Sequence, residues 1–304
     1  MNAPVIIAMP TERLVTPRTV AQFIALALIW GSTWLVIKGQ IVSVPIAWSV
    51  TYRFAVAGTA MLIFCLVMRR PLRLGRTGHA IAAIAAVLQF AANFNFVYHA
   101  ERFVASGLVA LVFALLVVPN AGFARLFLGS RISGRFVLGS AMGIAGVGML
   151  VERDLGLDGG DTALGLTLAV AGMLCASLAN VMQASDRVRA LPLEGFLSVA
   201  LLYGAAANAV YAFVTVGAPS FDPHPTYILG VLYLGLVASA LAFRLYYSLI
   251  RAIGPARAGY VNVVVPLVAM SLSTVFEGFV WTPLAAAGGV LAMAGLVIAL
   301  RSRA

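Results

Sequence analysis

Ten predominantly apolar runs divide this sequence, at residues 19–37, 46–68, 78–98, 103–127, 134–151, 161–184, 195–216, 226–250, 258–276 and 284–300. Each approaches the ~20 residues a helix needs to cross the hydrocarbon core of a bilayer. Lipid offers no hydrogen bonds to a bare backbone, so only helices and closed barrels span it. The alternation over about ten residues that marks a barrel strand does not recur. The connections between runs are short. The expected fold class is therefore all-α: a polytopic membrane protein with ten transmembrane helices in one bundle and no soluble domain. Only 10% of the 304 residues are charged, against about 25% in a soluble domain, too few to cover such a chain in water.

The charges that remain report orientation. The net charge is +10, but the cations fall in short clusters between apolar runs rather than along one face. That excludes a nucleic-acid-binding stripe and reads as membrane topology. Alternate connections carry Arg13 and Arg18; Arg69, Arg70, Arg73 and Arg76; Arg131 and Arg135; Arg187 and Arg189; Arg251 and Arg257; Arg301 and Arg303. The intervening ones carry Lys38, Arg102 and Arg153, with the acids Glu101, Glu152, Asp154, Asp158, Asp161, Asp222 and Glu277. This imbalance places both termini in the cytoplasm. Residues 1–18 are then a cytoplasmic tail. No small-residue cleavage pattern follows the first run, so it reads as a retained span rather than a signal. Cys65 and Cys175 both lie inside apolar runs and read as packing residues, without a disulfide or a metal site.

The chain repeats itself. Pro45 and Pro192 open the second and seventh runs, 147 residues apart; Pro119 and Pro266, in the fourth and ninth, have the same offset. Gly139 and Gly146 in the fifth run match Gly288 and Gly295 in the tenth. Two halves of five spans, 19–151 and 161–300, have opposite orientations because five is odd. Inverted repeats of this kind are a recurrent transporter design, with the substrate site near the midplane. Pro119 and Pro266, each lacking a helical hydrogen bond, are candidate hinges.

Polar residues inside lipid mark function. Trp30, Trp34 and Lys38 form an i, i+4, i+8 stripe in the first span. Trp34 and Lys38 also suit an interfacial anchor, whereas Trp30 lies near mid-bilayer and suits a cavity wall. Arg53 sits about two turns into the second span, as a substrate contact or as a buried structural cation. Arg244 is expected to snorkel. The third span is the most polar: Gln89, Asn93 and Phe96 share one face, Asn95 and His99 another, with Tyr98 between. A cavity wall and interhelical glue both account for them, and His99 alone suits an interface. Asn180, Gln183, Tyr246, Tyr247, Tyr260 and Asn262 add further candidates. Aspartate and glutamate are missing from mid-span, with Glu277 nearest, at a span end. Carriers driven by protons or sodium commonly use such a carboxylate, so the expectation is facilitated movement. No nucleotide motif or nucleophile-with-base pair is present, so neither an enzyme nor a cofactor is expected.

Trp30-Gly31-Ser32, Lys38, Pro45 and Arg53, and then Pro266, Glu277-Gly278, Gly288 and Gly295, resemble the two repeat signatures of the EamA-type ten-helix transporters, in the drug/metabolite transporter superfamily. Ser130 departs from the pattern, where that family usually has an acidic residue. As a whole the chain is similar to the YddG-type exporters of aromatic amino acids. The resemblance implies export of an amino acid, aromatic or hydrophobic, by alternating access through a central cavity. Its substrate-binding candidates are Trp30, Trp34, Gln89, Asn93, Phe96, Tyr98, His99, Asn180, Tyr247 and Asn262. Lys38, Arg53, Pro119, Pro266 and Arg244 are gating or structural candidates. Competing readings are an exporter of another small metabolite or drug, and a nucleotide-sugar or phosphate-ester carrier. The latter should present several cavity cations, and here only Arg53, Lys38 and Arg244 qualify. The expected partners are a small-molecule substrate and the lipid bilayer.

Overall fold

The structure is a computed structural model, and it describes residues 17–157, 159–253 and 261–301. All regular elements among them are helical. The principal helices are α1 (Pro17–Gln40), α2 (Ile46–Val67), α3 (Gly75–Ala100), α4 (Ser106–Leu128), α5 (Gly134–Leu157), α6 (Gly159–Gln183), α7 (Leu193–Thr215), α8 (225–253), α9 (Val261–Phe276) and α10 (Pro283–Arg301), with one short turn at Asp186–Arg189 before α7. Seven of these helices are long and apolar enough to cross a membrane. The apolar parts of α5, α9 and α10 are shorter, at Gly134–Leu150, Val264–Phe276 and Pro283–Ala299. Large apolar side chains such as Phe213, Val214, Val275 and Val290 lie exposed. That is the surface a lipid-embedded bundle presents. The orientation markers Arg13, Arg18, Arg153, Glu152, Asp154, Asp158, Arg251, Arg257, Arg301 and Arg303 lie outside the described residues and side chains.

Packing follows the repeat. α1 lies against α8 and α9, and α6 lies against α3 and α4; α2 contacts α7 and α8, and α7 contacts α2 and α3. α4 meets α9 and α5 meets α10. Exchanging each helix for its counterpart five places on leaves this set of neighbours unchanged. Nearly every large contact therefore joins one half to the other. The helix starts obey the sequence offset as well: Pro45 and Pro192 are the N-cap residues of α2 and α7, where proline's missing N–H leaves no bond unmade.

The two glycine pairs form a single seam. α5 and α10 cross so that Gly139 faces Gly295 and Gly146 faces Gly288. A Cβ on Gly139 would stand 2.5 Å from the Gly295 carbonyl oxygen, and one on Gly295 the same distance from that of Gly139. Backbone meets backbone there, which fixes the crossing of the two helices. Small residues permit such approach where lipid supplies no hydrophobic drive for helix association.

Three irregularities interrupt the helices. α3 contains a π-helical segment at Ala86–Ala92 and α8 one at Tyr233–Leu241. These are corresponding helices, and the segments begin 147 residues apart. α4 breaks at Leu115–Leu116, between Ser106–Ala114 and Val117–Leu128. The cause is Pro119, whose missing N–H and bulky ring strike the turn four residues back. The first piece packs on α9 and the second on α6. Its counterpart Pro266 lies inside an uninterrupted α9, so the expectation of paired kinks holds for one helix only.

Replacing Gly146 by alanine should destabilise the protein by about 1–3 kcal/mol, the usual penalty of forcing atoms into a packed contact. Gly148, beside which a Cβ meets nothing within 4 Å, should tolerate alanine or gain up to about 1 kcal/mol of helix propensity. Thermal unfolding of both variants in detergent checks this; equal midpoints would count against the seam.

Candidate functional site

A cavity of about 110 Å³ lies midway along the helices, walled by α1, α2, α3, α4, α6, α8 and α9. Trp30 reaches it from α1. Its indole Nε1 donates to the Ala238 carbonyl at 3.3 Å, inside the π segment of α8. Its ring meets Tyr246 and Phe243 edge-on at 4.9 and 5.7 Å. One turn on, Trp34 packs against Phe113 of α4 at 5.3 Å. The indole nitrogen of Trp34 is buried without a partner. Trp34 is thus part of the wall, and the interfacial alternative does not describe it.

Arg53 enters from α2 and is only 2% exposed. Its Nε donates to Ser239 Oγ at 2.9 Å, again in the α8 π segment, and one terminal nitrogen donates to the Tyr98 hydroxyl at 3.4 Å. The guanidinium carbon lies 4.4 Å from the centre of the Phe94 ring, a cation–π distance. α3 contributes Gln89 and Asn93, both buried. Asn93 Nδ2 bonds the Gln89 carbonyl at 3.3 Å, but Gln89 Oε1 and Asn93 Oδ1 have no hydrogen-bond partner. Asn180 of α6 and Pro266 of α9 complete the named lining.

Other expected site residues stand elsewhere. Tyr98 is fully buried behind Arg53. Phe96 faces α6 at Gly172, and the cavity position belongs to Phe94. His99 is in a separate crevice with Pro45, Arg102 and Tyr211; its Nδ1, 2.7 Å from the Asn95 carbonyl oxygen, must carry the ring proton. Tyr247 is buried against Phe243 and Tyr246, and only the latter two line the cavity. Asn262 belongs to α9, but its side chain, like Tyr260, lies outside what is described. Asn95 is glue: its amide donates to Asn208 Oδ1 at 2.6 Å, and Asn208 donates on to the carbonyl of Phe90, in the α3 π segment, at 2.9 Å. Arg244 does not snorkel. It pairs with Glu194 at 3.5 Å and stacks over Phe64 at 4.8 Å, because α7 brings a carboxylate within reach.

The end of the bundle that carries few arginines is tied together by polar contacts. Lys38 Nζ donates to the carbonyls of Glu101 and Val104, tying α1 to the α3–α4 turn. Glu277, just past the end of α9, accepts from the Ser106 N–H at 3.2 Å and its hydroxyl at 2.7 Å, and from Ser273. A carboxylate there satisfies a free N–H group of the first turn of α4 and suits its dipole. The Glu101 carboxyl is wholly buried and neither oxygen has a hydrogen-bond partner. Sequence reasoning missed this group; adjacency to a span end hid its burial. Burial pushes its pKa well above the ordinary carboxylate range, Lys38 and Arg53 pull it down, and Glu277 adds to the rise.

A model of the EamA-like transporter family matches the chain twice, over residues 18–152 and 163–301. One relative, the "Probable amino-acid metabolite efflux pump" of Salmonella typhimurium, is 27% identical over 91% of this chain and 93% of its own. The "Uncharacterized inner membrane transporter YedA" of Escherichia coli K12 is 30% identical over 84% of this chain and 81% of its own. A solved crystal structure at 20% identity shares the fold with a TM-score of 0.69, covering 92% of this chain and 96% of that one.

The folded protein binds a proton at Glu101 more tightly than the unfolded chain does. The stability contribution is full below the ordinary carboxylate pKa and is lost as pH rises through the raised value. Glu101→Gln should therefore flatten the fall in thermal midpoint as pH rises above the ordinary carboxylate range. Parallel curves for the two proteins would mean that the carboxyl is not buried as described.

Proposed function

The chain belongs to the EamA-like transporter family, and from that premise we propose that it exports amino acids from the bacterial cytoplasm across the inner membrane. Members of this family are transporters and not enzymes, and the chain is a multi-pass membrane protein. The observation that carries the proposal is the mid-helix cavity, which combines indole and phenyl rings with buried amide oxygens that have no protein partner. An amino acid presents a hydrocarbon or ring to the first and an ammonium group to the second. The relative named as an amino-acid metabolite efflux pump supports the same substrate class.

The repeats, 19–151 and 161–300 in this reading, follow a cytoplasmic tail at 1–18, and the arginine-rich end faces the cytoplasm. Alternating access then works through sets of helices drawn from both halves. α6 holds α3 and α4; α1 holds α8 and α9. The sets meet where Ser106 and Gly107 of α4 approach Ser273 of α9 and Glu277 just past its end. That ties the outer end. Below the Pro119 break α4 follows α6 instead. Among the described residues no carboxylate lines the cavity, which favours facilitated movement over competition between substrate and a coupling ion.

Aromatic and large hydrophobic amino acids are the preferred candidates because of Trp30, Trp34 and Phe113. A cavity of 110 Å³ is smaller than the ~150 Å³ that accepts benzene. A ring-bearing substrate therefore requires the cavity wall to give. Counterflow in proteoliposomes across a panel of labelled amino acids, with and without a pH gradient, tests the proposal. The expected result is exchange of hydrophobic amino acids at a rate the gradient does not alter, lowered at least several-fold by Trp30→Ala. Exchange of none of the panel would remove the amino-acid reading, and strict dependence on the gradient would remove the facilitative one.

A further inference from the structure

We infer that Arg53 is the anion anchor of the cavity, so that the site takes a zwitterion with its carboxylate on Arg53 and its ammonium on Gln89 Oε1 and Asn93 Oδ1. The inference rests on the proposed amino-acid export and gives that site a polarity. An arginine in the middle of a membrane bundle is costly unless an anion meets it. Among the described residues no carboxylate stands within ion-pair distance of Arg53, although the buried Glu101 carboxyl feels its charge. Its recorded partners are the neutral hydroxyls of Ser239 and Tyr98, and its faces are covered by Phe94 and Phe54 at 4.4 and 5.6 Å. These contacts fix the guanidinium plane while leaving most of its five N–H donors for a ligand. A carboxylate matches that fork with two parallel bonds.

The two other cations considered for the cavity are engaged elsewhere. Lys38 bonds backbone carbonyls and Arg244 pairs with Glu194. Among the described residues that line the cavity Arg53 is the one cation, which suits a monoanionic carboxylate and not a phosphate ester, whose second charge would go unmet. The orphaned acceptors supply the other pole. Gln89 and Asn93, 5% and 3% exposed, both line the cavity, and the amide oxygen of each is buried without a hydrogen-bond partner. A buried acceptor without a donor is a standing penalty, relieved by an ammonium group that donates to both. A simple amine would leave Arg53 unmatched, and a simple acid would leave the amides unmatched.

The purified full chain in detergent separates these cases. Binding of labelled L-phenylalanine is competed with phenethylamine, 3-phenylpropionate and phenyl phosphate. L-Phenylalanine should bind wild type at least about tenfold more tightly than each analogue, since each leaves a buried group unpaired. Arg53→Gln should weaken L-phenylalanine about 10- to 100-fold and leave phenethylamine nearly unchanged, while Arg53→Lys recovers part of the loss. Asn93→Asp should reverse the preference toward phenethylamine, a gain that a misfolded variant cannot show. Phenethylamine binding as tightly as L-phenylalanine in wild type, with Arg53→Gln without effect, would overturn the anchor and leave amino-acid export standing. Phenyl phosphate as the tightest ligand would overturn both. Binding of none of the four probes would overturn the zwitterion site, and the counterflow panel then decides separately on export.

Discussion

Helices from opposite halves of the chain approach one another's backbones more closely than ordinary side chains permit, and the rest of the structure depends on that approach. The seam of α5 with α10 is the extreme case, glycine facing glycine at two levels. Gly31 against Val265 and Val268, Gly107 against Met270 and Ser273, and Gly235 against the Arg53 carbonyl repeat it across α1–α9, α4–α9 and α2–α8. In lipid the gain from such contact is dispersion and not the hydrophobic effect. It therefore needs near-complete interlocking. The halves interleave, and the cavity is what remains where α1, α3, α4 and α8 carry large rings instead of small residues.

Polar side chains then reach where the backbone has been disturbed. π segments are frequent at functional sites because an extra residue in the turn redirects the chain. Here both receive cross-half partners. Trp30 and Arg53 of the first half end on Ala238 and Ser239 of α8, and Asn208 of the second half ends on Phe90 of α3. Among the cavity residues, the Trp30 indole and one edge of Arg53 are satisfied by these crossings. Trp34 Nε1, Gln89 Oε1 and Asn93 Oδ1 are left over, along with the free edge of Arg53. A conserved bookkeeping of hydrogen bonds thus separates the groups that hold the helices from those that await something else.

Much of this was legible in the chain. The 147-residue offset of Pro45 and Pro192, and of Pro119 and Pro266, anticipated the matched starts of α2 and α7. The paired glycines stood out as a repeat, but nothing in the sequence brought α5 and α10 together. Trp30, Gln89, Asn93 and Asn180 were named from polarity in lipid alone and share one cavity. Phe96 was misplaced for a specific reason. Faces were counted at 3.6 residues per turn, but α3 passes through a π segment between Ala86 and Ala92. The extra residue delays the rotation, so the face of Gln89 and Asn93 continues through Phe94 and Val97. No local sequence signal marks that segment, because the cross-half hydrogen bonds that accompany it come from over a hundred residues away. Glu101 escaped for a related reason. At a span end it reads as solvated, and only the packing of α1, α4 and α9 encloses it.

The prolines carry the argument one step further. Two inverted halves with similar sequences have two equivalent ways to combine, related by exchanging their conformations. In the described state α4 is broken before Pro119, α9 is continuous through Pro266, and hydrogen bonds tie the arginine-poor end. On the alternating-access reading, exchange would give the opposite state, with α9 broken before Pro266, α4 continuous and the arginine-rich end tied. Proline makes either shape accessible, since the missing N–H removes the bond that would otherwise resist bending. A structure trapped open at the arginine-poor end should display that exchange. If α4 is still broken and α9 still continuous there, the two halves do not trade shapes, and the asymmetry at the prolines is a fixed feature of the fold.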